Sequence, residues 1–269
     1  MKFSVLIAHY NHWEYFQECY QSIEKQTYNN IEIIIVDDAS TDGSYEKLKE
    51  FVKDKPNIKL HCNGVNKKVA FTKKKCIELS SGDICGFVDP DDFISSDAIE
   101  KSILEYKNTD VIATYSRIKL ITLDSKEIGD FKNTKAIKPN QPLFFNINFE
   151  VAHFFTFKKT AYLKTQGLKS ELIISEDQDL YLKLYEIGNF KFINEILYFY
   201  RIHDKGISQN KQKSNQQKQD WHNVLKDACN RRKIDKLYGN NVKEIADLPS
   251  YIFNKQNTII QRIISKIIG

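Results

Sequence analysis

Residues 84–92 read ICGFVDPDD, an apolar run that ends in the carboxylates of Asp89, Asp91 and Asp92. The run is short and follows a Ser-Gly-Asp turn, which is typical of a buried strand that begins after a turn. Because Pro90 cannot continue a central strand, the strand should stop at the acids. Acids at the carboxyl end of a buried parallel strand lie in the crevice where open α/β sheets bind ligands.

The same three carboxylates indicate a cation. They repel one another unless a cation joins them, and hard oxygen ligands with few His or Cys suit Mg²⁺ or Mn²⁺. A divalent ion held in this way usually carries substrate phosphates. The alternative is a solvated turn with scattered acids, because an Asp-x-Asp pattern taken alone is a weak signal.

Strands and helices alternate along the first part of the chain. Apolar runs predict strands at 3–8, 31–36 and 58–62, and amphipathic patterns predict helices at 14–26, 44–53 and 69–79. This alternation implies right-handed βαβ units and a parallel sheet. Farther along, the patterns predict strands at 111–115 and 118–123, a loop at 133–148, an aromatic-rich segment at 150–157 and a helix at 177–184. The aromatic segment either lines an acceptor site or packs in the core.

Acids follow the second predicted strand as well as the fourth. Asp37 and Asp38 end the run at 31–36, and a doubly wound sheet binds nucleotides at such strand ends. One acid can accept a hydrogen bond from a base or ribose, and the other cluster can hold a metal on a diphosphate. The sequence contains no phosphate-cradling glycine loop of the G-x-G-x-x-G or P-loop type. A metal is therefore the expected means of neutralising the diphosphate.

Six motifs, taken in order, resemble an inverting family 2 glycosyltransferase with the GT-A fold. They are VLIAHYN at 5–11, VDDASTDG at 36–43, SGD at 81–83, DPDD at 89–92, SEDQDL at 175–180 and YRIH at 200–203. The resemblance implies an α/β fold with a Rossmann-like, mostly parallel central sheet flanked by helices. It predicts a GT-A domain at 1–208, followed by a basic helical C-terminal extension at 209–269.

The resemblance also implies an activity. The chain should transfer a sugar from a nucleotide-diphosphate sugar, a UDP-sugar above all, to a glycan or lipid-linked acceptor in bacterial polysaccharide biosynthesis. Asp38 would bind the nucleobase. The residues assigned to nucleotide or donor binding are Ala8, Tyr10, Asn11, Asp38, Ser40, Lys73, Asp89, Pro90 and Asp91. Lys73 stands where the family usually has Arg, so it keeps the charge but lacks the bidentate fork.

Catalytic roles follow from the same resemblance. Asp177 matches the general base, and Asp91 and His203 match the ligands of Mn²⁺ or Mg²⁺. Supporting roles fall to Asp92, Glu176 and Asp179. The chemistry agrees, since inversion needs a base for the acceptor hydroxyl and a Lewis acid for the departing diphosphate. The alternatives are helix capping at 176–177 and an ordinary histidine at 203.

Positive charge is concentrated after residue 200. The chain of 269 residues carries a net charge of +5, yet from Arg201 onward 14 Lys or Arg face 6 Asp or Glu. The last segment places Ile259, Ile260, Ile263, Ile264, Ile267 and Ile268 on one helical face, opposite Arg262, Ser265 and Lys266. This pattern predicts peripheral membrane contact through 255–269. The alternative is a stripe that packs on the protein's own core or on a second copy.

The remaining composition favours a cytoplasmic enzyme at the inner face of the membrane. The N-terminus runs directly into a strand pattern without a signal peptide, and no stretch approaches the roughly 18 uncharged apolar residues of a spanning helix. Five widely spaced cysteines indicate reduced thiols. No nucleic acid partner is expected. One alternative function is that of a catalytically silent subunit of the same fold. Another is that of a nucleotidyltransferase, whose reaction gives less reason for an acid at 177.

Overall fold

A computed structural model describes residues 1–203 and 214–258. Its first half contains β1 (Phe3–His9), α1 (Trp13–Glu24), β2 (Ile31–Asp37), α2 (Ser44–Val52), β3 (Ile58–Cys62), α3 (Val69–Leu79), β4 (Ile84–Phe87), β5 (Phe93–Ile94) and α4 (Ala98–Glu105). Its second half contains β6 (Val111–Ile121), β7 (Glu127–Phe131), β8 (Thr156–Lys158), α5 (Lys159–Tyr162), α6 (Glu176–Tyr185) and β9 (Asn189–Arg201). The C-terminal part contains α7 (Ser214–Arg231), β10 (Lys236–Leu237), β11 (Asn240–Asn241) and α8 (Leu248–Gln256).

One large sheet runs through the molecule in the order β3-β2-β1-β4-β8-β6-β9-β5, with β7 paired to β6. Strands β3, β2, β1 and β4 are parallel, as the alternating pattern predicts, and pairing is mixed beyond β4. The chain leaves β1 toward β2 and later returns to place β4 on the other side of β1. The carboxyl ends of β1, β2 and β4 therefore meet at the switch point of the sheet, where α/β proteins bind ligands.

The sheet is buried on both faces because its central strands are almost continuously apolar. Along β1, Val5 and Ile7 pack in a core with residues of α1, α2 and α4, while Leu6 packs on the opposite face with residues of α3 and α6. This two-sided burial confirms the predicted α/β architecture. It also fixes the strand ends that carry the acids.

One predicted break in a strand is wrong. The sequence predicts two strands at 111–115 and 118–123, whereas β6 is a single strand from Val111 to Ile121. Its register with β9 shifts between Ser116 and Arg117. The polar Ser-Arg pair interrupts the apolar pattern, but the backbone remains paired through an irregularity of the ladder, as in a β-bulge.

The C-terminal helices pack onto the sheet domain through a third core. Buried residues of α7 and α8 meet residues of α3 and α6 and of the loop before β8; they include Ala70, Phe145, Leu182, Val224, Leu225, Ala228, Leu248 and Ile252. The isoleucine stripe predicted to bind membrane begins at residue 259 and lies outside the described residues. Within 1–203 and 214–258, no helix has both the length and the apolar character that crossing a bilayer requires. All five cysteines are unpaired.

Candidate active site

A cavity of about 480 Å³ lies at the carboxyl ends of β1, β2 and β4. The segment 149–153, the beginning of α6 and the first half of α7 form its other walls. Its size falls within the range of small-molecule sites in proteins, about 300–1,000 Å³. Among the residues assigned to the donor and to catalysis, Ala8, Tyr10, Asp38, Lys73, Asp89, Pro90, Asp91, Asp92, Glu176 and Asp177 line it.

Asp38 lies in the wall at the end of β2. Its carboxylate accepts hydrogen bonds from Asn63 Nδ2 at 2.8 Å and from the backbone N–H groups of Lys67 and Lys68 at 2.7 and 2.8 Å. These bonds hold the loop that follows β3. A carboxylate has about four acceptor positions, so Asp38 keeps capacity for a further donor. Tyr10 is 38% exposed and lines the same cavity.

Asn11 and Ser40 are beside the cavity and are absent from its lining. Asn11 Oδ1 accepts from the N–H of Thr41 at 2.8 Å, and Ser40 Oγ accepts from the N–H of Asn11 at 3.0 Å. Asn11 has a φ of 56°, so these bonds hold a left-handed turn in place. Buried His9 contacts Asp37 at 2.9 Å, which joins the ends of β1 and β2. The two loops are thereby locked to each other.

The three carboxylates of the 89–92 turn have different surroundings. Asp92 is buried and accepts from Tyr198 Oη and from the backbone N–H of Arg201, both at 2.8 Å. Burial, with the negative charges of Asp91 and Asp89 nearby, raises the pKa of Asp92 well above its usual value. Asp92 therefore attaches β9 to the turn.

Asp91 contacts His203, with 2.8 Å between Oδ2 and Nε2. Burial tends to raise the pKa of Asp91, but the hydrogen bond from His203 and the proximity of His12 lower it on balance. His203 Nδ1 is buried and has no partner among the described residues. A carboxylate oxygen and an imidazole nitrogen can both ligate a divalent ion, and here the ion would replace the hydrogen bond that now joins them. Within 1–203 and 214–258, no three His, Cys, Asp or Glu gather as a metal site, so the remaining ligands would come from substrate or water.

Lys73, on α3, joins the acids of the sheet to those of α6. Its Nζ lies 2.8 Å from Glu176 Oε1, 2.9 Å from Asp177 Oδ1 and 3.7 Å from Asp89 Oδ1. Burial tends to lower the pKa of Lys73, yet the three carboxylates raise it well above its usual value. Lys73 is therefore a buried ammonium that holds together carboxylates from distant parts of the chain.

Asp177 faces the cavity at the beginning of α6, with a quarter of its side chain exposed. Burial tends to raise its pKa, but the charge of Lys73, followed by His153, lowers it on balance. Asp177 is thus a carboxylate at neutral pH, the form that a general base requires. Burial raises the pKa of Glu176 despite Lys73.

Asp179 is fully buried and is not part of the cavity wall. It accepts from Lys183 Nζ at 2.7 Å and from the N–H of Lys169 at 3.1 Å. Lys183 also donates to the carbonyl of Gly167 at 2.6 Å. Asp179 therefore fastens α6 to the segment that leads into it.

Sequence patterns did not single out His153, which lies within the segment 150–157. Its Nε2 is 3.7 Å from Asp177 Oδ2 and 3.9 Å from Asp89 Oδ2. Its ring stacks on Tyr198 with 4.8 Å between centroids. A single histidine in an aromatic segment carries no local signal of this position, because the two acids come from other elements.

The contribution of α7 was also missed, because the sequence assigns this helix to an extension. Asp220 is buried and accepts from the backbone N–H groups of Ile173 and Ile174, both at 2.9 Å. These residues precede α6 and its carboxylates. On the same helix, Gln217 and Trp221 line the cavity, so α7 both anchors the segment before Asp177 and forms part of the wall.

Comparison with known proteins agrees with this geometry. The family model "Glycosyl transferase family 2" matches residues 4–165. Chondroitin synthase from Escherichia coli is 27% identical over 94% of this chain, which spans 36% of that protein. S. aureus TarS 1-349 in complex with UDP-GlcNAc has a TM-score of 0.70 at 20% identity, covering 85% of this chain and 66% of that 1-349 chain.

A second solved structure is similar over almost the whole chain. The mannosyltransferase PcManGT from Pyrobaculum calidifontis, in complex with GDP-Man and Mn²⁺, has a TM-score of 0.62 at 13% identity, covering 99% of this chain and 79% of that one. At these identities the two structures show the fold, which is GT-A as the sequence predicts. The family match covers more than half of the residues, and the chain therefore belongs to glycosyl transferase family 2.

Proposed function

We propose that this chain transfers a sugar from a nucleotide-diphosphate sugar to a hydroxyl group of a glycan or lipid-linked saccharide, with inversion at the anomeric carbon. The observation that carries this proposal is the Lys73 ammonium, which lies 2.9 Å from Asp177 and 3.7 Å from Asp89. It brings the carboxylate suited to act as a base next to the strand end where a metal-bound diphosphate is expected. Glycosyl transfer is the chemistry of the family.

The strand-end side of the cavity is the proposed donor site. Asp38 and Tyr10 would hold the nucleobase, with Ala8 in the wall beside them and with Asn11 and Ser40 keeping the two loops in place. The diphosphate would lie near Lys73 and the 89–91 turn. A UDP-sugar is the proposed donor, and the structural similarity to TarS in complex with UDP-GlcNAc supports it.

Asp177 is the proposed general base. Its carboxylate accepts the proton of the acceptor hydroxyl while that oxygen attacks the anomeric carbon from the side opposite the diphosphate. The bond between this carbon and the phosphate oxygen breaks, and the nucleoside diphosphate leaves with the bonding electron pair. Lys73 keeps Asp177 ionised, and His153 lies 3.7 Å from its other carboxylate oxygen. Positioned bases of this kind contribute about 10²–10⁴-fold to rates.

Asp91 and His203 are the proposed ligands of Mn²⁺ or Mg²⁺. When bound there, the cation supplies Lewis acidity that neutralises the departing diphosphate. Asp92 and Arg201 hold the turn and β9 together, so the two ligands share one rigid support. The similarity to PcManGT, whose complex contains Mn²⁺, supports a divalent ion.

The test is a transfer assay. A panel of UDP- and GDP-sugars, with Mn²⁺ or Mg²⁺ and oligosaccharide acceptors, should release nucleoside diphosphate and give a product whose new linkage has the anomeric configuration opposite to that of the donor, as read by NMR. Release of pyrophosphate would identify a nucleotidyltransferase instead. Neither hydrolysis nor transfer above background with any donor would identify a catalytically silent subunit.

Peripheral membrane contact through 255–269 stays a prediction, and with it a cytoplasmic location at the inner membrane surface. Each basic residue near an anionic surface contributes about 1 kcal/mol, screened by salt. The intact chain should therefore co-sediment with anionic liposomes at low salt, and deletion of residues 259–269 should abolish this. An intact chain that stays in the supernatant at low salt would contradict the prediction.

A further inference from the structure

The α7 side of the cavity differs in composition from the strand-end side. Trp221 contacts Phe149 with 5.1 Å between ring centroids, and both line the cavity. Ile173 lines it too and is 37% exposed. This side therefore presents an aromatic and aliphatic surface to a ligand bound in the cavity.

The polar groups on this side are neutral. Gln217 precedes Trp221 by one helical turn, so both side chains lie on one face of α7. Gln217 makes no side-chain hydrogen bond within the described part of the chain. Aromatic rings with a few neutral hydrogen-bonding groups suit a ligand that has an apolar face and polar edges. A sugar ring has such a surface, with C–H groups on its face and hydroxyl groups at its rim, whereas a phosphate does not.

This surface is joined to the segment that carries the base. Asp220, adjacent to Trp221, accepts hydrogen bonds from the N–H groups of Ile173 and Ile174. Asp177 follows three residues after Ile174 and lines the same cavity. A ring that packs on Trp221 would share the cavity with Asp177, whose Oδ1 lies 2.9 Å from Lys73 and whose Oδ2 remains for the acceptor hydroxyl. An inverting displacement requires the acceptor and the leaving group to lie on opposite sides of the anomeric carbon.

We propose that Trp221 and Phe149 form the acceptor subsite, where a saccharide ring packs on the indole and presents its hydroxyl to Asp177. Gln217 would donate to or accept from the ring hydroxyls. This inference rests on the proposed transferase function and adds the substrate class bound by α7. The hydrogen bonds from Ile173 and Ile174 to Asp220 would then fix the position of Trp221 relative to Asp177.

Fluorescence can test this directly, because the chain contains two tryptophans. Trp13 packs against Phe16 and Phe51 and does not line the cavity, so Trp13→Phe leaves Trp221 as the only reporter. The probes are UDP with Mg²⁺, chondroitin oligosaccharides, lactose and chitobiose. UDP with Mg²⁺ should bind, as measured by calorimetry, with little change in emission. At least one saccharide should shift or quench the emission in a saturable way. No response to any saccharide at millimolar concentration would overturn the proposal.

Kinetics separate the subsite from the donor site. Trp221→Ala should raise the KM for the oligosaccharide acceptor by about tenfold, while the affinity for UDP stays within twofold. Trp221→Phe should recover most of the acceptor affinity and controls for folding. An unchanged acceptor KM, or an equal loss for donor and acceptor, would overturn the subsite. If the unmodified protein shows neither donor hydrolysis nor transfer, the proposed function is contradicted instead.

Discussion

The two sides of the cavity differ in charge. On the strand-end side, Lys73 contacts three carboxylates, and Asp91 pairs with His203. On the α7 side, Phe149, Ile173, Gln217 and Trp221 present aromatic, aliphatic and neutral polar groups. One side is therefore an arrangement of paired charges and the other an uncharged surface. Fixed charges suit a diphosphate that every donor shares, and an uncharged surface suits an acceptor.

Two buried lysines, one on α3 and one on α6, differ in the charges around them. Lys73 faces three carboxylates and its pKa is raised well above the usual value, whereas Lys183 faces Asp179 and burial lowers its pKa on balance. The first lysine lines the cavity, and the second, on α6, is buried outside it. Of these two lysines, Lys73 is the one that faces more than one carboxylate.

Among substitutions on the strand-end side, removal of Lys73 should have the largest effect on stability and transfer. Breaking a buried ion pair by removing one partner costs about 3–5 kcal/mol, so Lys73→Met should lower the free energy of unfolding by about that amount and nearly abolish transfer. Lys73→Arg keeps the charge and should retain more of both. Chemical denaturation and a transfer assay measure the two effects. Full stability in Lys73→Met would show that the three carboxylates do not need the ammonium.

The same variant changes the pH dependence of transfer. Lys73 lowers the pKa of Asp177 against the effect of burial. The stability that this ion pair contributes, and the ionised base, are therefore fully present above the pKa that Asp177 has in the unfolded chain. Both are lost as the pH falls through the lower pKa that Asp177 has in the folded protein. In the unmodified protein the acidic limb should therefore lie below the usual aspartate range, about pH 3.9. In Lys73→Arg this acidic limb should stay at low pH. In Lys73→Met the acidic limb of the residual activity should move to higher pH. A limb that does not move would mean that another group titrates.

Asp91→Asn should remove the metal dependence of the donor side. Loss of an outer-shell partner costs about 10–100-fold in metal affinity, and loss of a ligand should cost at least as much. Titration of UDP with and without Mn²⁺ should show that the ion no longer strengthens binding. Asp110→Asn, at an exposed acid outside the cavity, is the matched control. Unchanged manganese dependence in Asp91→Asn would place the metal elsewhere.

Asp220→Ala should give the smallest effect on UDP affinity and tests whether α7 belongs to the site. Two backbone N–H groups would lose their acceptor, which costs about 1–3 kcal/mol for each group that stays buried and unpaired. Turnover should fall because the segment before Asp177 is released, while UDP affinity should stay unchanged. Asp220→Asn keeps an acceptor oxygen and should be milder. If Asp220→Ala loses stability but no turnover, the contact is structural only.

The strand-end side could be predicted from the sequence because its signals are local. An apolar run followed by acids indicates a strand end, and the structure places Asp38 and the 89–92 turn after β2 and β4, on either side of β1. The α7 side could not be predicted in this way. Asp220 lies 47 positions from its partner Ile173, and His153 depends on acids from β4 and α6. Neither contact leaves a periodic pattern, because tertiary packing alone creates it.

One local signal misleads. The interruption at 116–117 predicts the end of a strand, but the ladder continues on both sides of it, because hydrogen bonding across the fold outweighs the pattern within one segment. Asn11 and Ser40 bond to each other's loops and hold the left-handed turn at Asn11, and their contact with the donor stays a prediction.

The most direct test of the account is the comparison of UDP affinity and single-turnover transfer in Asp177→Asn. The substitution keeps the size of the side chain and removes its basicity, so UDP should bind with unchanged affinity in the presence of Mn²⁺. Transfer should fall by about 10²–10⁴-fold, the usual contribution of a positioned base. Transfer within a few-fold of the unmodified protein, at unchanged UDP affinity, would contradict the assignment of Asp177 as the base.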